Sequence, residues 1–233
     1  MANAQLILVH GAWHGAWCWE RVLAPLAARG IPAHTLDLPS IDRGGSRAGR
    51  RAGLSQDAAA VRELIDRTPG ELIVCGHSYG GMVISHAASG STRVKRLIYL
   101  CAFMPEPGQS LVAIGGNAPW VKIDEDGMTL PDPALAAELF YGDCDPATQA
   151  WAVAQLRPQP SDAFIEAVPA PAWRDIPASY IVCSQDAALP AQLQRSLFAP
   201  RARDVHELEA SHSPFLSQPT MLAELLASIA ALQ

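Results

Sequence analysis

Short apolar runs alternate along most of this chain with stretches of helical spacing. The runs are Gln5–Val9 and residues 32–36, 72–75, 94–101, 179–183 and 205–208. Continuous apolar runs of this length, bounded by turn residues, read as strands buried on both faces. Between and after them, residues 17–29, Leu54–Arg67, 79–88, 190–198 and 220–232 carry apolar side chains at three- and four-residue intervals, the signature of amphipathic helices. Gly30 follows the first as a helix-end signal, Ser55 is the expected N-cap of the second, and Thr68-Pro69-Gly70 ends that helix. Strands separated by helices predict an α/β fold, a mostly parallel sheet with helices on both faces.

Residues 104–175 break the rhythm. They hold 10 of the 19 prolines and three of the six tryptophans, Trp120, Trp151 and Trp173, and no clear strand. The expected arrangement is one domain over 1–233 with this segment inserted as a cap above the C-terminal edge of the sheet, where open α/β sheets bind ligands. Aromatic residues in such a cap would enclose an apolar pocket. The alternative is an irregular connection with a small core of its own.

Composition narrows the function. Hydrophobic residues make up 49% and charged residues 17%, so the chain is expected to fold into a packed core. A net charge of -6 offers no footprint for nucleic acid or an anionic membrane, and no run of 18 apolar residues suggests a membrane span. The N-terminal MANAQLILVHG lacks the charged region and apolar length of a signal peptide. Five cysteines, Cys18, Cys75, Cys101, Cys144 and Cys183, form no CxxC pair and point to a reduced, cytoplasmic protein. Arg43, Arg47, Arg50 and Arg51 lie in a glycine-rich stretch that reads as a solvated loop.

The chemistry centres on Gly76-His77-Ser78-Tyr79-Gly80, a G-x-S-x-G motif with a strand before it and a helix after. That context defines a nucleophile elbow, in which the chain reverses so sharply that the serine is held in a strained conformation between small neighbours. A serine hydroxyl needs a base. Among seven histidines, His212 sits in the polar loop after the last strand, whereas His206 falls inside a strand, His86 inside a helix, and His77 projects away from the serine. Asp186 follows the strand at 179–183 and is the expected partner that fixes the histidine tautomer, with Glu106 as a weaker alternative. The order Ser78, Asp186, His212 is that of α/β-hydrolases. The glycine turn after the first strand, His10-Gly11-Ala12-Trp13-His14, offers the Ala12 N–H, which with the Tyr79 N–H would form an oxyanion hole. His10 and His14 are four apart but on no helix and without a third ligand, so no metal is expected. His14, Trp120, Phe140, Trp151 and Phe164 are the candidate lining of a modest apolar pocket.

The stretches LILVHGAWHGAWCWERV, GHSYGGM, YIVCSQDAALP and ASHSPFLSQP together resemble the α/β-hydrolase subfamily of plant methyl esterases and hydroxynitrile lyases, with its bacterial esterase members. The resemblance spans nearly the whole chain and implies the triad Ser78, Asp186 and His212, the amides of Ala12 and Tyr79, and no cofactor. The lyases it resembles carry a threonine two residues after the motif histidine and a lysine directly after the catalytic one; this chain has Ala12 and Ser213. Cleavage of a cyanohydrin needs a cation for the departing cyanide, which a serine does not supply. The expected function is therefore a serine esterase acting on small carboxylic esters, aryl, methyl or short-chain. Lyase chemistry and a non-catalytic small-molecule receptor are the alternatives. The expected partner is the small-molecule ester alone, and a homodimer is left open.

Overall fold

A computed structural model describes residues 4–41, 52–116 and 118–232. The arginines at 43, 47, 50 and 51 lie outside the described residues.

Six strands form the main sheet: β1 (Gln5–Val9), β2 (Ala33–Thr35), β3 (Leu72–His77), β4 (Val94–Leu100), β10 (Ala178–Cys183) and β11 (Asp204–Leu208), numbered in chain order with the five short strands between β4 and β10. The spatial order is β11-β10-β4-β3-β1-β2, and every pairing is parallel. The apolar runs occupy the centre: Leu6, Ile7, Leu8 and Val9 of β1 and Leu72 through Cys75 of β3 are inaccessible to solvent. Each such side chain contributes about 1.5–3 kcal/mol by leaving water. That is the reason for continuous rather than alternating hydrophobicity, because helices lie over both faces. They include α1 (Glu20–Ala28), which packs on α10 (Pro219–Ala230), and α2 (Leu54–Arg67), which packs on α3 (Gly80–Ala87).

Helix ends differ in detail from the sequence reading. Gly53, not Ser55, is the N-cap of α2; its amide donates to the Gln56 side chain at 2.8 Å. Ser55 sits in the first turn and gives both its N–H and its hydroxyl to Glu166, 111 residues away. A carboxylate from the segment between β4 and β10 thus takes the positive end of α2, the charge favoured there.

The segment between β4 and β10 does contain strands, all too short to register as periodicity. They are β5 (Gln109–Ser110), β6 (Val121–Ile123), β7 (Met128–Pro131), β8 (Gln159–Pro160) and β9 (Ala167–Val168). β6, β7 and β8 make one small antiparallel sheet, and β5 pairs with β9. Four helices accompany them: α4 (Leu111–Gly115), α5 (Pro133–Tyr141), α6 (Pro146–Gln155) and α7 (Asp162–Ile165). Asp132 and Asp145 cap α5 and α6 through their side chains, with proline opening each helix. After β10, α8 (Ala191–Leu193) runs into a π-turn, and α9 (Pro214–Ser217) follows β11. No helix among the described residues is long and apolar enough to cross a membrane.

Candidate active site

Ser78 follows the last residue of central strand β3 and adopts φ = 53°, in the left-handed region that non-glycine residues rarely enter. Such a conformation costs on the order of 1–3 kcal/mol and persists only when its surroundings fix it. Here the Ser78 N–H donates to Leu100, and its carbonyl accepts the N–H groups of Gly81 and Phe103. The glycines permit the crossing. A methyl group added at Gly76 would lie 2.5 Å from the Gly80 carbonyl oxygen, and one at Gly80 would lie 2.7 Å from that of His10. Helix α3 starts at Gly80 and directs its positive end toward the same point.

Asp186 lies beyond β10, and His212 beyond β11, so both arrive at the same edge of the sheet as Ser78. The His212 Nδ1–H donates to Asp186 Oδ2 at 2.7 Å, and both side chains are almost wholly buried. The rest of the Asp186 carboxylate is also satisfied. Oδ1 accepts the amides of Ala188 and Leu189 at 2.9 and 2.8 Å, and Oδ2 accepts Gln194 Nε2 at 2.9 Å. With Nδ1 committed to Asp186, the tautomer leaves Nε2 of His212 as the acceptor. Ser78 and His212 border one cavity, and Ser78 Oγ makes no hydrogen bond to another described residue. Such contacts often tighten only with substrate in place. Glu106 is elsewhere, paired with Arg174 and Arg201.

Two further groups support the histidine loop. The His77 Nε2–H reaches the His212 carbonyl at 2.8 Å, with Cys101 Sγ on the same oxygen at 3.4 Å. Complete burial pushes the His77 imidazole well below its usual range, so it is neutral. The donor atoms of His77, Cys101 and His212 cluster within 4.8 Å. These contacts already account for one ring nitrogen and the thiol, so the trio works as a support for the loop. On the other side, Asp143 accepts the Ser211 N–H at 3.0 Å and its hydroxyl.

The turn after β1 carries the second half of the site. Among the described residues no acceptor takes the N–H of Ala12 or of Tyr79, and both residues border the cavity. His10 and His14 hold this turn from behind. His10 Nδ1–H donates to the Gly11 carbonyl, and its Nε2 accepts the Leu38 N–H. His14 Nδ1–H donates to the Ala12 carbonyl at 2.7 Å, and its Nε2 accepts the Tyr141 hydroxyl at 2.9 Å. Burial lowers the two pKa values to about 4 and about 3, so both are neutral hydrogen-bonding groups at ordinary pH.

The cavity has a volume of about 730 Å³, larger than the modest pocket expected. Trp120, Phe140 and Phe164 line it; His14 and Trp151 do not. His14 is buried behind Ala12, and Trp151 sits 40% exposed against Trp17. Trp13, Thr129 and Ser161 are lining residues that periodicity did not single out, although Trp13 lies inside the HGAWHG motif. No Asp, Glu, Lys or Arg side chain lines the cavity among the described residues.

Comparison with known proteins identifies the family. Residues 6–225 match the alpha/beta hydrolase family, and the chain belongs to it. It is 27% identical to an alpha/beta hydrolase of Aspergillus novofumigatus, over 99% of this chain and 98% of the relative. A pyrethroid hydrolase from Sphingobium faniae superposes with a TM-score of 0.80 at 28% identity, covering 98% of this chain and 97% of that one. An Arabidopsis methylesterase superposes with a TM-score of 0.83 at 25% identity, covering 99% and 100%. The chain thus sits on the methylesterase-like branch of the family, among hydrolases of the esterase kind.

Proposed function

We propose that the chain is a serine esterase that cleaves neutral carboxylic esters through an acyl-enzyme. Ser78 Oγ attacks the ester carbonyl carbon while His212 Nε2 takes its proton. The carbonyl oxygen becomes an oxyanion and is met by the N–H groups of Ala12 and Tyr79. The tetrahedral intermediate collapses, and the alcohol leaves with the proton held by His212. Water, deprotonated by the same nitrogen, then attacks the acyl-enzyme, and the acid departs as Ser78 Oγ regains its proton. Asp186 remains ionised and stabilises the imidazolium.

The observation that carries this reading is His212, held by buried Asp186, bordering one cavity with the strained Ser78 and two backbone N–H groups that have no acceptor among the described residues. A protein that only held a ligand would have no use for a base with a fixed tautomer. The lyase alternative lacks its cation: position 213 is a buried serine, and no Asp, Glu, Lys or Arg side chain lines the cavity among the described residues. The same absence of charge selects the substrate. A free carboxylate or ammonium on either arm of the ester would be desolvated without a partner, at a cost of several kcal/mol. The volume and the rings of Trp13, Trp120, Phe140 and Phe164 suit an ester with a bulky apolar group, wider than the small aryl, methyl or short-chain esters expected from sequence. The names of two relatives fit this choice, a pyrethroid hydrolase and a carbendazim hydrolyzing esterase. The test is turnover of a matched series, a naphthyl ester of a neutral acid against the naphthyl monoester of a dicarboxylic acid. A preference of at least tenfold for the neutral ester, abolished in Ser78→Ala, is expected. Equal turnover of both, or activity surviving in Ser78→Ala, contradicts the proposal.

A further inference from the structure

A single chain of buried hydrogen bonds joins the two turns that bear the oxyanion amides. The Tyr79 hydroxyl donates to Asp57 Oδ2 at 2.7 Å. The Ser40 hydroxyl donates to the same oxygen at 2.6 Å, and the Ser40 N–H donates to Oδ1 at 2.9 Å. Gln159 Nε2 donates to Ser40 Oγ at 2.8 Å, and Gln159 Oε1 accepts the backbone N–H of Trp13 at 3.0 Å. A side branch closes the far end, where Trp13 Nε1–H donates to Thr129 Oγ1, whose hydroxyl donates to the Gln159 carbonyl. Asp57, Thr129 and Gln159 are almost fully buried, as is Tyr79.

The chain ends at two specific places. Tyr79 supplies one amide that has no acceptor among the described residues, and Trp13 directly follows Ala12, which supplies the other. Ser78 and Trp13 both have positive φ, 53° and 60°, so each amide adjoins a strained residue that needs outside support. The two turns come from different strands, β1 and β3, and Gln159 comes from the insertion, 146 residues from Trp13. Asp57 has no cationic partner in this chain of contacts, and desolvation raises its pKa to about 6. A buried carboxyl group kept in place without a counter-ion is costly. Satisfied polar networks of this kind fix one geometry.

We propose that Gln159 and Asp57 are positioning residues that set the separation and aim of the two oxyanion amides, so that the insertion builds half of the oxyanion hole. This rests on the esterase reading above. An oxyanion hole acts on the transition state and not on the bound ester. Loosening it should therefore lower kcat at nearly constant KM.

The experiment compares wild type with Gln159→Leu, which removes both side-chain bonds, and with Asp57→Asn. Two competitive inhibitors of one apolar shape are used. An aryl trifluoromethyl ketone forms a hemiketal: Ser78 Oγ adds to the carbonyl carbon, its proton passes to His212, and the carbonyl oxygen becomes the oxyanion. The matching unreactive ether fills the cavity only. The expected result is a fall in kcat of about tenfold or more, a parallel rise in Ki for the ketone, and a Ki for the ether within about twofold of wild type. Parallel weakening of ketone and ether, or unchanged kcat, overturns the proposal. If Gln159→Leu does not give folded protein, Ser40→Ala cuts the chain at its middle link, leaves the Trp13 N–H paired with Gln159, and is judged by the same two inhibitors. Fluorophosphonate labelling at Ser78 in wild type tests the esterase reading separately, so a failure there is distinguishable from a failure of the positioning role.

Discussion

Replacing Asp186 by asparagine should reverse the histidine tautomer, and the surroundings specify how. The amides of Ala188 and Leu189 both point at Oδ1, so they hold the asparagine carbonyl oxygen at that position. The asparagine NH2 then occupies the Oδ2 position and faces His212 Nδ1, which currently donates to it at 2.7 Å. Two donors cannot face each other, so His212 keeps its proton on Nε2 and can no longer accept one from Ser78. Loss of the correct tautomer in a Ser-His-Asp triad costs about 10⁴ in kcat, equivalent to about 5 kcal/mol of transition-state stabilisation. The same NH2 also meets Gln194 Nε2, so about 1 kcal/mol of stability should be lost with one hydrogen bond. Steady-state kcat/KM on a neutral aryl ester, with a denaturation curve to confirm folding, provides the assay. A folded Asp186→Asn variant retaining more than a tenth of wild-type kcat would refute the assignment of Asp186 as the orienting acid.

Other consequences follow from the same contacts. Gly80→Ala should destabilise the fold by about 1–3 kcal/mol, because its methyl group meets the carbonyl oxygens of Val9 and His10; a chemical denaturation midpoint reads this. Phe140→Ala should cost about 3–5 kcal/mol, since the ring packs among Trp13, Trp120, His14 and His212; wild-type stability would show that the insertion does not rest on it. His10 and His14 have folded pKa values of about 4 and about 3, below their unfolded value near 6.5, so the stability they contribute is present above that value and is lost as pH falls through 4 toward 3. Asp57 has the opposite sign: its contribution is full below about 3.8 and lost as pH rises through about 6. Unfolding free energies of wild type and His14→Gln between pH 7 and pH 4 should therefore converge toward acid, and parallel curves would contradict the buried neutral histidine.

Much of the sheet was visible in the sequence because burial on both faces leaves unbroken apolar runs, and the turn residues behind them mark where chemistry can sit. Ser78 and Asp186 each follow such a run and His212 follows the half-exposed edge strand β11, so their arrival at one edge follows from parallel strand order. The segment between β4 and β10 was less legible. Its strands have two to four residues, too few for period two to be counted, and its contacts are long-range. The N-cap of α2 moved from Ser55 to Gly53 because Glu166 takes Ser55, a partner invisible in local sequence. His14 and Trp151 share the aromatic character of pocket residues, but the first is drawn inward by Ala12 and Tyr141 and the second packs on Trp17 at the surface. Gln159 and Asp57 gave no signal at all, since a buried glutamine and a solvated one look alike in a string of letters.

Intact-mass analysis after treatment with a fluorophosphonate asks the central question with least intervention. Attack by Ser78 expels fluoride and leaves one phosphonyl group on the protein. The account predicts a single adduct on wild type, mapped by peptide sequencing to the elbow serine, none on Ser78→Ala, and labelling slowed by orders of magnitude in His212→Ala. An unlabelled wild type, or equal labelling of wild type and Ser78→Ala, would contradict it.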